Sequence, residues 1–238
     1  DWSEILSDSC ISGNLDLVKF IADNGSDFDF NQAIFNACSY GFLHITEFLI
    51  DKCYEFDWNN LFIVSCKSGN LNLVIFIINN STENFLDFNK GFEYACFGGN
   101  IDVVKYVVIL IEKNINWDSG LLYACMSGNF ELVKFIIDNG ASNWNLGLAG
   151  ACSGNQLNLA EFMIRKGADD FETALINSLI NHNFNLAKLL LTYKNHKKIC
   201  WYNIFCTIRL SCPIELINYM IKYKSNLYKL LSTFINYS

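Results

Sequence analysis

Apolar and polar positions recur along this chain with a period of 27 to 30 residues. Each period centres on one anchor position, usually a cysteine followed three residues later by a glycine. The successive anchors are Cys10, Cys38, Cys66, Cys96, Cys125, Cys152, Leu179 and Arg209. Self-similarity at a fixed period is typical of repeat architectures. The sequence therefore predicts about eight repeating units.

Each unit predicts a first helix that begins beside an aromatic residue. The aromatic residues stand eight positions before the anchors, at Trp2, Phe30, Trp58, Phe88, Trp117, Trp144, Phe171 and Trp201. In the first six units the next residue can act as an N-cap: Ser3, Asn31, Asn59, Asn89, Asp118 and Asn145. An apolar residue four before the anchor completes a stripe with helical spacing. We expect each aromatic residue to pack as a hydrophobic staple, with ligand stacking as the alternative.

A glycine three residues after the anchor predicts the end of this helix in a left-handed conformation. Asn155 and His182 take the glycine position in the sixth and seventh units, and we expect both to end a helix. A second, largely apolar helix follows, for example over residues 15–21 and 130–137. Because it is apolar on most sides, it must be covered by neighbouring units.

The segments over residues 13–25 and 128–141 resemble the second half of an ankyrin repeat. The family's Thr-Pro-Leu-His start is absent, and the period is 3 to 6 residues shorter than the usual 33 or so. The chain is similar in this respect to the divergent, short-period arrays encoded by large DNA viruses and AT-rich protists. The resemblance implies a viral protein in the host cytoplasm or the virion.

The repeats and the resemblance together predict an all-α, ankyrin-like helical-repeat solenoid of about eight helix-turn-helix units over residues 1–224. Residues 225–238 place Leu227, Leu230, Leu231 and Phe234 on one helical face. Repeat arrays need a terminal unit with a polar outer face. We therefore expect a C-terminal capping helix at 225–238.

Composition and charge exclude several classes of protein. The chain has 238 residues, 52% of them hydrophobic, which excludes intrinsic disorder. No apolar run approaches the 20 or so residues that a membrane span needs, so we expect no membrane insertion. The net charge of −7 disfavours nucleic acid as a partner. Residues 1–160 carry 7 lysines against 19 acidic residues, whereas residues 161–238 carry 10 basic against 5 acidic residues.

Six of the ten cysteines are the repeat anchors, and these six predict buried free thiols rather than disulfides. Stacked repeats hold equivalent atoms roughly 10 Å apart, whereas a disulfide requires Cα atoms within about 7 Å. Cys200, Cys206 and Cys212 have no zinc-ligand spacing, so we expect no metal. Reduced thiols indicate a reducing compartment such as the cytoplasm.

No catalytic motif is present in the sequence. The three histidines, His44, His182 and His196, fall at different repeat positions. There is no H-E-x-x-H motif, no triad-like motif and no phosphate-binding glycine loop. We therefore expect no enzyme activity and no cofactor.

The resemblance implies that residues two before and one after each anchor face the concave partner-binding surface. In the middle units these positions hold Val64, Lys67, Tyr94, Phe97, Tyr123 and Met126. Tyrosine and methionine are typical of interface cores. We expect these residues to bind a partner protein of unknown identity, and the alternative is that the short loops let them fold under the array.

The expected function is a protein–protein interaction module, a scaffold or adaptor that binds through its concave surface. The alternative function is a structural component of a larger assembly such as a virion. The sequence leaves the partner and the oligomeric state open.

Overall fold

The computed structural model describes residues 1–53, 55–81, 86–111, 114–193, 199–200 and 203–204. These residues form fourteen helices and no strand, so the predicted all-α helical-repeat class is confirmed. The chain divides into two compact units, Asp1–Asn116 and Trp117–Ser238. The predicted eighth repeat around Arg209 and the predicted capping helix at 225–238 lie outside the described residues.

The first compact unit contains four helical pairs. Their bounds are α1 (Trp2–Ser12), α2 (Leu15–Asn24), α3 (Phe30–Ser39), α4 (Leu43–Ile50), α5 (Trp58–Ser68), α6 (Leu71–Asn80), α7 (Phe88–Gly98) and α8 (Ile101–Leu110). The odd-numbered first helices pack in sequence, α1 on α3, α3 on α5 and α5 on α7, while the second helices form a parallel row from α2 to α8.

The described part of the second compact unit contains three helical pairs. Their bounds are α9 (Trp117–Ser127), α10 (Phe130–Asp138), α11 (Trp144–Ser153), α12 (Leu157–Lys166), α13 (Phe171–Ile180) and α14 (Phe184–Thr192). The first helices pack α9 on α11 and α11 on α13. Among the described residues, no helix is long and apolar enough to cross a bilayer.

The core of each unit is built from the repeated apolar positions. The residues four before the anchor are at most 1% exposed throughout: Leu6, Ile34, Phe62, Phe92, Leu121, Leu148 and Leu175. The six cysteine anchors are fully buried as well. The second helices complete the core with aliphatic side chains such as Val74 and Val133. Burying a large apolar side chain contributes roughly 1.5–3 kcal/mol of transfer free energy, and this contribution drives the stacking of the repeats.

The first helices end in the conformation that the sequence predicted. Gly13, Gly69 and Gly99 have φ values of 72°, 80° and 77°. Where glycine is absent, Asn155 and His182 adopt φ values of 59° and 58°. Both are left-handed, so the predicted helix-ending roles of Asn155 and His182 are confirmed.

The first helices begin two residues earlier than the predicted N-caps required, and that prediction was wrong. The helix starts at the aromatic residue, and the residue before it is the cap. The capping side chains that accept a backbone N–H bond are Asp1, Asp29, Asp57, Asp87, Asn143 and Asp170. The aromatic residues are consequently the first helical residues and do not precede the cap as staples.

In several repeats the polar residue after the aromatic links its repeat to the next one. Its side-chain oxygen accepts a backbone N–H from the loop that leads into the following first helix, a contact that we call the inter-repeat clasp. In the first unit the backbone N–H of Asp29 donates to Ser3 Oγ at 2.8 Å, and the backbone N–H of Asp87 donates to Asn59 Oδ1 at 2.8 Å. In the second unit Asp170 donates to Asn145 Oδ1 at 3.0 Å. The clasp satisfies loop amides that would otherwise lack a partner.

Asparagines at the start of the second helices bridge neighbouring repeats with their two side-chain atoms. Asn100 Oδ1 caps α8 by accepting the N–H of Val103 at 3.1 Å, and its Nδ2 donates to the carbonyl of Gly69 at 2.8 Å. Asn70 likewise caps α6 and donates to Gly41 O at 2.7 Å. The amide is required because a carboxylate has no N–H to donate.

Asn100→Asp is expected to lower the free energy of unfolding by about 1–3 kcal/mol, the usual cost of leaving a partly buried acceptor without its donor. Asn14→Asp is the matched control, because Asn14 caps α2 through Leu17 N–H at 3.0 Å and lies in the first repeat. Aspartate caps as well as asparagine, so the control is expected to change stability by less than about 0.5 kcal/mol. Urea denaturation measures both, and equal losses would show that capping alone explains the asparagines.

Candidate partner-binding surface

The six predicted binding residues lie on three first helices. Val64 and Lys67 are on α5, and Tyr94 and Phe97 are on α7, all in the first compact unit. Tyr123 and Met126 are on α9 in the second unit. Lys67 is exposed, Val64 is only 8% exposed, and the other four are half-buried.

The position two before the anchor faces the preceding repeat more than solvent. Asn36 at this position donates to Ser7 Oγ of the preceding repeat at 2.7 Å. At Gly150, a Cβ would lie 2.0 Å from the carbonyl oxygen of Leu122. Val64 at this position is 8% exposed, so its side chain offers little surface to a partner.

The position one after the anchor faces outward. Lys67 Nζ lies 4.9 Å from the ring centroid of Phe97, a cation–π contact between neighbouring repeats. Met126 holds the same position in the second unit and is half-buried. Ile11 and Ile180 hold the same position in other repeats, where they are 38% and 52% exposed. The repeat alignment contained the signal for Ile180, because it immediately follows the anchor Leu179.

The aromatic residues that open the first helices are buried to different degrees. Trp58 and Phe171 are core residues at 6% and 4% exposure, whereas Trp2 is 43% exposed. Trp117 packs edge-on against Phe135, with ring centroids 6.3 Å apart. Of these aromatic residues, Trp58 and Phe171 therefore belong to the repeat core, whereas Trp117 and Phe135 are half-buried.

Several exposed apolar side chains on the second helices and turns could not be identified from the sequence. Phe20 on α2 is 64% exposed, Ile109 on α8 is 79% exposed, and Tyr40 after α3 is 57% exposed. The second helices are apolar on most sides, so periodicity cannot separate their buried face from their outer face.

The anchor cysteines are buried free thiols, and the other described cysteines, Cys53 and Cys200, are also free. Burial raises the pKa of Cys10, Cys125 and Cys152 to about 12. Burial raises the pKa of Cys38 to about 11, against a hydrogen bond with Thr46 that lowers it. The anchors are therefore neutral thiols at pH 7, and the thiolate is the nucleophilic form.

The two described histidines belong to different compact units. His44 on α4 is exposed and contacts Glu47, with Nδ1 3.1 Å from Oε2. His182 lies in the left-handed turn after α13. His196 is outside the described residues. In the part of the chain that the structure describes, no group of three His, Cys, Asp or Glu side chains could hold a metal ion.

Two family models match the chain. The model described as ankyrin repeats (3 copies) matches residues 6–90, and the model described as ankyrin repeats (many copies) matches residues 121–191. Among solved structures, the crystal structure of the human ASB11 ankyrin repeat domain is similar, with 17% sequence identity and a TM-score of 0.48. The similarity covers 68% of this chain and 83% of that chain. No curated protein matches this chain.

Proposed function

Because the chain belongs to the ankyrin repeat family, we propose that it binds a partner protein as a scaffold or adaptor. Ankyrin repeats are in general protein–protein interaction modules. The proposed binding residues lie on the first helices of each unit, Lys67 and Phe97 in the first and Met126 in the second. Tyr94 and Tyr123 are half-buried, and they lie on α7 and α9, the helices that carry Phe97 and Met126.

The observation that carries this proposal is the outward position one after the anchor. The repeat core does not require an apolar residue there, since Lys67 and Ser39 also occupy it. An aromatic ring and a thioether at Phe97 and Met126 therefore need another explanation. Aromatic residues and methionine are enriched at interfaces, while lysine is more typical of the rim.

A catalytic role is not part of the proposal. The six anchor cysteines are buried and protonated at pH 7. The net charge of −7 supports a protein partner over a nucleic acid. No feature of the described residues favours the alternative of a virion component.

Phe97→Ala and Met126→Ala, made separately, are each expected to weaken partner binding by about tenfold or more. Interface energy is concentrated in a few anchors worth roughly 2 kcal/mol or more, and 1.4 kcal/mol corresponds to one decade. The measurement is affinity purification of the tagged chain from its native cell with quantitative mass spectrometry. A specific partner is a protein whose recovery falls with these variants, and its Kd is then measured with purified components.

Ile109→Ala is the matched control, because it also truncates an exposed apolar side chain but lies on α8, the second helix of the same repeat as Phe97. It is expected to leave recovery and Kd unchanged. Equal losses with Ile109→Ala would place the interface on the second helices. Circular dichroism at 222 nm verifies that each variant is folded.

A further inference from the structure

A cleft of about 500 Å³ opens between the second and third repeats of the first unit. The described residues that line it are Asn31, Phe35, Glu55, Phe56, Asp57, Asn60 and Leu61. Asn31 and Phe35 belong to α3, Asn60 and Leu61 to α5, and the rest to the loop before α5. The volume is within the range of about 300–1,000 Å³ that is typical of small-ligand sites. We call this site the Leu61 cleft.

Leu61 explains why a cleft exists at this junction. It occupies the position five before the anchor, which every other described repeat after the first fills with a small residue: Ala33, Gly91, Gly120, Gly147 and Ala174. The space there is narrow, since a Cβ on Gly91 would lie 2.4 Å from the ring of Phe62 in the preceding repeat. A leucine in this position acts as a spacer between α3 and α5.

The inter-repeat clasp is also different at this junction. Ser3 and Asn59 accept backbone N–H bonds from the next loop at 2.8 Å in the flanking repeats. Among the described contacts, the equivalent Asn31 Oδ1 accepts only the Cys53 thiol, at 4.0 Å. This amide therefore faces the cleft without the bond that closes the neighbouring junctions.

The lining combines an apolar floor with acidic and amide groups. Phe35 and Phe56 are half-buried, and Leu61 is 5% exposed. Glu55 and Asp57 contribute carboxylates at the rim, and Asp57 Oδ1 accepts the N–H of Asn60 at 2.9 Å. The described lining residues include no lysine or arginine. An apolar floor beside two carboxylates complements a ligand that has both an apolar part and a positive charge.

From this arrangement we propose that the Leu61 cleft binds a guanidinium or ammonium group carried on an apolar stem. The stem packs against Phe35, Phe56 and Leu61, and the cation pairs with Glu55 and Asp57 while the Asn31 amide oxygen accepts one of its N–H groups. This site is separate from the surface around Phe97, so it does not rest on the proposed function.

The test is a titration of the full chain with benzamidinium and with its neutral isostere benzamide, followed by ¹H–¹⁵N NMR. The side-chain amides of Asn31 and Asn60 are reporters inside the cleft. Benzamidinium is expected to shift both signals with a Kd at least about tenfold lower than that of benzamide. A third arm uses the acetylated and amidated peptide Gly-Arg-Gly. Binding of this peptide assigns the cleft to a polypeptide side chain, whereas binding of benzamidinium alone assigns it to a free small cation.

Glu55→Gln is expected to weaken benzamidinium binding by about tenfold, because it removes one carboxylate from an exposed position without disturbing the core. Glu4→Gln is the matched control, since it makes the same charge change at an exposed residue of the first repeat, outside the cleft. Equal affinities for benzamidinium and benzamide, or equal losses in the two variants, would overturn the proposal. The proposal would also be overturned if benzamidinium shifted other signals but left the Asn31 and Asn60 side-chain amide signals unchanged.

Discussion

Gly150→Ala is expected to destabilise the second compact unit by about 3 kcal/mol. A Cβ at Gly150 on α11 would lie 2.0 Å from the carbonyl oxygen of Leu122 on α9, and the adjacent backbone atoms of Leu122 block it further. The obstacle is backbone, so the two helices must move apart. Overpacking of this kind costs roughly 1–3 kcal/mol or more, which exceeds the gain of about 1 kcal/mol from replacing a helical glycine by alanine.

Gly147→Ala provides the matched control on the same helix. A Cβ there would lie 2.7 Å from the sulfur of Met163, at the end of a flexible side chain that can adopt another rotamer. The net change is expected to be smaller than about 1 kcal/mol, because the gain in helix propensity offsets the adjustment. Urea unfolding monitored by circular dichroism gives both values, with an unchanged m-value showing that only stability differs. Equal losses in the two variants would contradict the close backbone packing of α9 and α11.

The helical repeat could be predicted from the sequence because each unit repeats its core positions. The residues four before the anchor and the anchors themselves are buried throughout the described repeats. The helix starts were less predictable, since Asp29 and Asn31 on either side of Phe30 are both good caps. The choice between these two caps depends on the following repeat. In the third repeat, Asn59, which is equivalent to Asn31, accepts a backbone N–H from the next loop in the clasp and is not the cap.

The candidate binding surface was less predictable for a related reason. Which side chain faces out depends on how closely successive first helices approach, and single residues at the junctions set that distance. Val64 is buried although the equivalent Tyr94 is half-buried. Leu61 opens a cleft where Gly91 permits close packing in the next repeat. Periodicity averages over these differences and cannot reveal them.

The anchor thiols make the folded chain sensitive to alkaline pH. The usual thiol pKa is 9.0, and burial raises the pKa of Cys10 to about 12 and that of Cys38 to about 11. Burial also raises the pKa of Cys66 and Cys96. Between pH 9 and 11 the unfolded chain therefore ionises its thiols while the folded chain does not. The stabilisation is fully present below pH 9 and is lost as the pH rises towards the folded pKa values.

Each buried thiol is expected to reduce the free energy of unfolding by about 1.4 kcal/mol per pH unit above pH 9. The four anchors of the first unit together lower it by about 6 kcal/mol at pH 10, which is comparable with the whole stability of a typical domain. The two described cysteine anchors of the second unit, Cys125 and Cys152, lower it by about 3 kcal/mol. The first unit is therefore expected to unfold at lower pH than the second. The measurement is the urea midpoint of each unit under reducing conditions at several pH values between 8.5 and 10.5.

Cys66→Ala separates the thiols from the tyrosines and lysines that also titrate in this range. It removes one buried thiol, so the pH slope of the first unit's unfolding free energy is expected to decrease by about 1.4 kcal/mol per pH unit, whatever the variant loses at pH 7. Ile109→Ala truncates an exposed side chain of the same unit, removes no thiol and is expected to leave the slope unchanged. If Cys66→Ala retained the wild-type slope, the anchor would ionise equally in the folded and unfolded chains, and the buried cysteine core would be incorrect. A slope reduced only by Cys66→Ala would show that the same burial that holds the repeats together also keeps their thiols protonated.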